Sequence, residues 1–202
     1  MKTNSKHLGL VTKKFNEFFF VDLKNKENFG NSERFLCKVR KSINFKDQFI
    51  YVGDEVEIDN IDLTSKRAVI ASLKKRQNLL NRPSVANISN IYITFSVEEP
   101  KLNLSQVNRF LISAESMGVE VSLVLTKCDL ISHKREAFLL DKFKKWGYQA
   151  ITLNLHKSDH FEDLLAQLKK KKCSIFMGPS GVGKTTLLNK IIPGLQNSTA
   201  PV

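Results

Sequence analysis

Residues 178 to 185 read Gly-Pro-Ser-Gly-Val-Gly-Lys-Thr, immediately after the apolar stretch SIFM and immediately before the helical run TTLLNKII. A GxxxxGK[ST] octapeptide between a strand and a helix is the signature of a P-loop, and it commits this part of the chain to an α/β fold. Gly178, Gly181 and Gly183 let backbone N–H groups curl around phosphate oxygens, with Pro179, Ser180 and Val182 completing the loop. Lys184 sets a cation against the β and γ phosphates, and the Thr185 hydroxyl is placed to ligate Mg²⁺. Thr186 lies in the first turn of a helix whose positive dipole end faces the same site. A glycine-rich turn matching by chance is the alternative, and the flanking strand and helix weigh against it.

Upstream of the loop, from Asn87, strands and helices alternate: NIYITFSV, LSQVNRFLISAESMG, VEVSLVLTK, HKREAFLLDKFKKWG, QAITLNL, DHFEDLLAQLKK and CSIFMG. Such alternation predicts a parallel sheet with crossover helices. Val107, Phe110, Leu111 and Ala114 recur at helical spacing, and Gly118 and Gly147 stand where helix C-terminal caps belong. Residues 8 to 73 differ, with five short strand-like runs (GLVTKKF, EFFFVDL, RFLCKVR, DQFIYVGDEVEI, KRAVIASL) and no helical period. They predict an all-β barrel resembling an oligonucleotide-binding (OB) fold, with Gly53 and Asp54 in a tight turn. The expected organisation is a barrel over 1–75, a basic linker over 76–86, and a P-loop domain over 87–202.

Thr126-Lys127-Cys128-Asp129 closes the strand VEVSLVL. A carboxylate at Asp129 can accept two hydrogen bonds from the N1 and N2 edge of guanine, which adenine does not offer, while the Lys127 stem lies over the base. Taken alone, TKCD is equally an ordinary turn with Asp129 as a helix cap; its place in a P-loop domain favours the base. TKCD at 126–129 precedes the P-loop at 178–186, the reverse of the usual GTPase order. In that order, and in VGDEV, RPSVANISNIYI, LNLSQVNRFLISAESMGV, LVLTKCDL and LQNSTAPV, the chain resembles the circularly permuted bacterial GTPases of the ribosome small subunit-dependent GTPase A family.

The resemblance implies GTP binding and hydrolysis with Mg²⁺, GDP as product, an RNA-contacting OB domain, action in late maturation of the small ribosomal subunit, and a cytoplasmic monomer. It also implies a zinc-binding carboxy-terminal domain whose ligands these 202 residues do not include. Three departures stand out. Thr126 replaces an asparagine, which predicts a weaker link between base and P-loop; Asn154 and Leu155 stand where a serine-alanine pair belongs; and the switch segments expected after Val202 are not in the sequence. The expectation is nucleotide binding with slow turnover, no catalytic residue among those present, and an open sheet edge at residues 173–177 through which chains associate.

A net charge of +12, spread over the chain rather than held in a tail, suits a polyanionic partner, with solubility as the plain alternative. Lys13, Lys14, Lys38, Arg40, Lys41, Lys74, Lys75 and Arg76 are the candidates for RNA phosphate contacts. Phe18, Phe19, Phe20, Phe35 and Tyr51 either stack on bases or fill the barrel core. The run Lys169 to Lys172 suits a helix C-terminus. Cys37, Cys128 and Cys173 show no metal or disulfide spacing, which predicts buried thiols in a reducing compartment. His7, His133, His156 and His160 form no catalytic constellation. No stretch is long and apolar enough for a signal peptide or membrane span. An ATP-using P-loop enzyme and a non-enzymatic RNA-binding module are the rival readings.

Overall fold

The computed structural model describes residues 2–3, 6–23, 33–40, 49–81, 83–154 and 160–192. The chain divides into two compact units, Met1–Ile88 and Ser89–Val202.

The first unit is built on a closed barrel. Strands β1 (Lys2–Thr3), β2 (His7–Phe15), β3 (Phe18–Leu23), β4 (Arg34–Val39), β5 (Glu55–Asp62) and β6 (Arg67–Leu73) run in the order β1-β5-β2-β3-β4-β6, and a β5–β6 pairing closes β2 to β6 on themselves. Only β4 and β6 pair in parallel within it. Period-two alternation drives the closure, because Val11, Phe19, Val21, Phe35, Cys37, Val56, Ile58 and Ile70 all point inward and are buried. Each such aliphatic or aromatic side chain contributes about 1.5–3 kcal/mol on leaving water. A bulge between Val11 and Lys13 resets the register of β2, so that Lys13 pairs with Phe20 and Phe15 with Phe18.

The described residues of 76–86, expected as a linker, are structured. They contain the hairpin β7 (Leu79–Asn81) and β8 (Ser84–Ala86). Val52 bridges Val85, and the Ala86 N–H donates to the Val52 carbonyl at 2.8 Å. Gly53 turns at φ +89°, and a Cβ there would lie 2.0 Å from the Ala86 carbonyl oxygen. Within the described part of the run DQFIYVGDEVEI, residues 49–58, the strand begins at Glu55.

The second unit is a four-stranded parallel sheet with helices between its strands. Its elements are β9 (Asn90–Ser96), α1 (Leu104–Glu115), β10 (Glu120–Thr126), α2 (His133–Lys145), β11 (Ala150–Leu153), α3 (Phe161–Lys169), β12 (Ser174–Met177) and α4 (Lys184–Ile191), with the strands in the order β11-β10-β9-β12. Every residue of β9 is buried, as a central parallel strand covered on both faces requires. Asn103 caps α1 by accepting the Gln106 N–H at 3.1 Å. Gly118 and Gly147 follow α1 and α2 at φ +65° and +89°, the left-handed geometry of helix ends. Tyr92, Val124, Leu153, Phe161, Leu164 and Leu187 join sheet, α3 and α4 in one core cluster.

Candidate nucleotide site

Strands β10 and β12 flank β9 and run parallel to it, so the segments that follow them emerge at the same, carboxyl end of the sheet. Ligands in open parallel sheets bind at that end. Thr126-Lys127-Cys128-Asp129 follows β10 and the glycine-rich loop follows β12, and the structure brings the two together.

The loop takes the shape its glycines permit. Gly178, Gly181 and Gly183 have φ of +155°, +79° and +87°. A Cβ on Gly178 would lie 2.0 Å from the Thr94 carbonyl oxygen, so only glycine lets the chain pass β9 at this point. Val182 is buried, whereas Ser180 and Gly181 face solvent and Pro179 is half-buried. Lys184 opens α4, and its Nζ donates to the carbonyls of Gly178, at 2.8 Å, and Pro179. Burial pushes its pKa below the ordinary lysine range, since a charged amine loses hydration there. A half-buried cation held by carbonyl oxygens, beside a glycine-rich loop, fits an incoming polyphosphate. Thr185 is half-buried and Thr186 exposed; the Thr185 hydroxyl is a hard oxygen donor of the kind Mg²⁺ takes beside phosphate oxygens.

Thr126 is fully buried, and its hydroxyl donates to the Val182 carbonyl at 2.6 Å. This bond ties the TKCD segment to the P-loop across 56 residues of sequence. The short side chain suffices because β10 and the loop approach closely. Lys127 adopts φ +58° and its ammonium donates to the Glu99 carbonyl. Cys128 is buried, and desolvation pushes its thiol up to about 12, so it serves as packing. Asp129 is exposed in the short 3-10 turn Cys128–Leu130, as a carboxylate awaiting a ligand would be.

The segment after β9 was not singled out in the sequence. Its Glu99 carbonyl holds Lys127, its Pro100 lies 3.6 Å from where a Gly181 Cβ would be, and its Glu98 pairs with Arg135 of α2 at 2.7 Å. These contacts are made by backbone atoms and long-range pairs, which leave no local pattern. Asn154 is buried, while Leu155 and His156 lie outside the described residues.

In the first unit the RNA candidates separate into two sets. Arg76 forks onto the fully buried Asp54 with two bonds of 2.7 Å and stacks 4.9 Å over the Tyr51 ring. Arg40 pairs with Asp59 and Lys74 with Glu57. These three cations thus have carboxylate partners within the fold. Lys13, Lys14, Lys38 and Lys75 are exposed, and the Lys38 ammonium sits 4.6 Å over the Phe18 ring. Lys41 lies outside the described residues. Phe19 and Phe35 belong to the core, whereas Phe15, at the end of β2, is 60% exposed. Among the described residues no cluster of three His, Cys, Asp or Glu could hold a metal, and no helix is long and apolar enough to cross a membrane.

The family model described as RsgA GTPase matches residues 73–202. The small ribosomal subunit biogenesis GTPase RsgA of Prochlorococcus marinus (strain NATL1A) is 37% identical over 206 residues, covering 98% of this chain and 66% of the relative. The protein of the same name from Synechococcus sp. (strain CC9605) is 38% identical over 173 residues, 86% of this chain and 57% of its own length. The chain thus spans 57% to 66% of the length of these two relatives. Among solved structures, YjeQ from Thermotoga maritima superposes with a TM-score of 0.83 at 32% identity, over 95% of this chain and 66% of that one. YloQ, a circularly permuted GTPase, matches with a TM-score of 0.79 at 24% identity, a likeness of fold.

Proposed function

Because this chain belongs to the RsgA GTPase family, we propose that it binds GTP and GDP at the joined P-loop and TKCD segments and uses that binding in late maturation of the small ribosomal subunit, in the cytoplasm. The observation that carries the reading is the Thr126 bond to Val182, which locks a purine-selecting turn to a phosphate-gripping loop. In this arrangement backbone N–H groups of residues 180–184 face the phosphate oxygens, and Lys184 moves from loop carbonyls to the β and γ phosphates. Asp129 accepts from the N1 and N2 edge of guanine. Thr185 would hold Mg²⁺, which neutralises phosphate charge when bound. These groups supply grip and charge, so the same reading has the 202 residues binding tightly and turning over slowly.

The RNA contact of the first unit falls on the outer surface of β2, β3 and β4. There the bulge sets Lys13 beside Phe20 and Phe15 beside Phe18, and Lys38 covers Phe18. The exposed Phe15 and the half-buried Phe18 and Phe20, interleaved with amines, suit unpaired bases and phosphates.

Titration of fluorescent GTP and ATP analogues in magnesium buffer, with Asp129→Asn alongside, tests the base assignment. GTP preference that falls at least about 100-fold in the variant is expected, because the wrong partner leaves buried hydrogen-bonding groups unmatched. A preference for ATP, or indifference to the substitution, would favour the ATP-using alternative and overturn the assignment.

A further inference from the structure

Helix α2 carries a solvent face that the nucleotide site does not use. Lys134, Phe138, Lys142 and Trp146 follow one another at four-residue spacing, which places them in one stripe along the helix and its cap. Leu139 and Phe143 turn the opposite face into the core. Trp146 is fixed edge-on against Phe143, with centroids 5.5 Å apart and planes at 81°. The Lys142 ammonium lies 5.6 Å from the Trp146 ring and 5.9 Å from the Phe138 ring, and Phe138 itself is 61% exposed. Asp141 is matched to Lys145 at 2.7 Å, Glu136 lies 3.7 Å from His133, and Arg135 is taken by Glu98. Among the described residues no carboxylate pairs with Lys134, Lys142 or Lys144.

We propose that this face of α2 is a second RNA-contacting surface, with Lys134 and Lys142 on phosphates and Phe138 stacked on an unpaired base. A membrane would need a broad apolar face, and the broad apolar face of α2 is already in the core. An acidic protein would use the cations but has no call on an isolated ring between two of them, whereas every base has a π-face that does. The proposal rests on ribosomal RNA being this chain's partner, and it is independent of nucleotide binding.

The test is fluorescence anisotropy of a labelled stem-loop RNA with unpaired loop bases, measured on the full chain over a range of KCl concentrations. A Lys13→Gln/Lys38→Gln background removes the barrel's contribution. Lys134→Gln/Lys142→Gln is expected to weaken binding about 10-fold at 0.1 M salt and to lower the slope of log K against log salt by about 0.7–0.9 for each lysine removed. Phe138→Ala is expected to weaken binding about five-fold or more at unchanged slope. Circular dichroism and GTP-analogue affinity, both expected unchanged, separate loss of this surface from loss of fold or of the nucleotide site. Unaltered affinity and slope in folded variants would overturn the proposal. So would variants that lose binding to isolated small subunits while holding free RNA normally, since that assigns the face to a ribosomal protein.

Discussion

Thr126 illustrates how a residue that departs from a familiar pattern keeps its task through geometry. Its hydroxyl reaches the Val182 carbonyl from a buried position where water cannot substitute. Thr126→Val keeps the shape and strands that carbonyl, at about 1–3 kcal/mol, so guanine-nucleotide affinity should fall about 5- to 100-fold. Thr126→Ser should remain near the parent, and equal affinities for all three in the fluorescent titration would remove the bond from the account. A second residue-scale expectation concerns acid. The Lys74 ammonium and then the Ser72 hydroxyl, at 2.7 Å, hold the Glu57 carboxyl down to about 2, against 4.5 ordinarily. A carboxylate depressed in the folded state adds stability that is complete above its ordinary value and lost as pH falls toward 2. The gap in urea midpoint between parent and Glu57→Gln should therefore be constant near neutrality and close between pH 4.5 and 2; a gap that widens on acidification would contradict this.

At the scale of elements, the segment that leads into the hairpin β7–β8 is anchored at Arg76. Asp54 is fully buried, accepts the Tyr51 N–H at 2.8 Å and is matched by the Arg76 fork. Arg76→Met leaves that carboxylate without its cation, which should cost about 3 kcal/mol in urea unfolding, the lower end for a broken buried pair because Arg76 is 19% exposed. A loss below about 1 kcal/mol would show that Asp54 finds water instead. This element also marks where the sequence stops being legible. The barrel strands and the alternating strands and helices follow from local periodicity, and the P-loop from residues whose backbone angles few others adopt. Residues 76–86 have neither period nor special spacing, and their structure comes from partners more than twenty residues away, such as Asp54 for Arg76 and Val52 for Val85. For the same reason the TKCD turn stands out in the sequence, while the Glu99 carbonyl that seats its lysine does not.

On the scale of the whole molecule, the sheet of the second unit is asymmetric. β9 is buried throughout, whereas β12 pairs with β9 alone, and its four residues are each only half-buried. Among the described residues the other edge of β12 has no strand partner. A short apolar run, Ile175, Phe176 and Met177, with a free row of backbone donors and acceptors is a template for another strand. The P-loop begins at the next residue, so what pairs with β12 also sets how firmly Gly178 is seated against Thr94. Self-association through this edge is the expected behaviour of the 202 residues at high concentration. Ile175→Lys adds a charge on the edge and should shift the sedimentation profile toward monomer, with GTP-analogue binding retained because position 175 lies outside the loop. A sharp monomeric boundary for the parent at high concentration, with the β12 amides protected from hydrogen exchange, would instead mean that the edge is already covered within one chain.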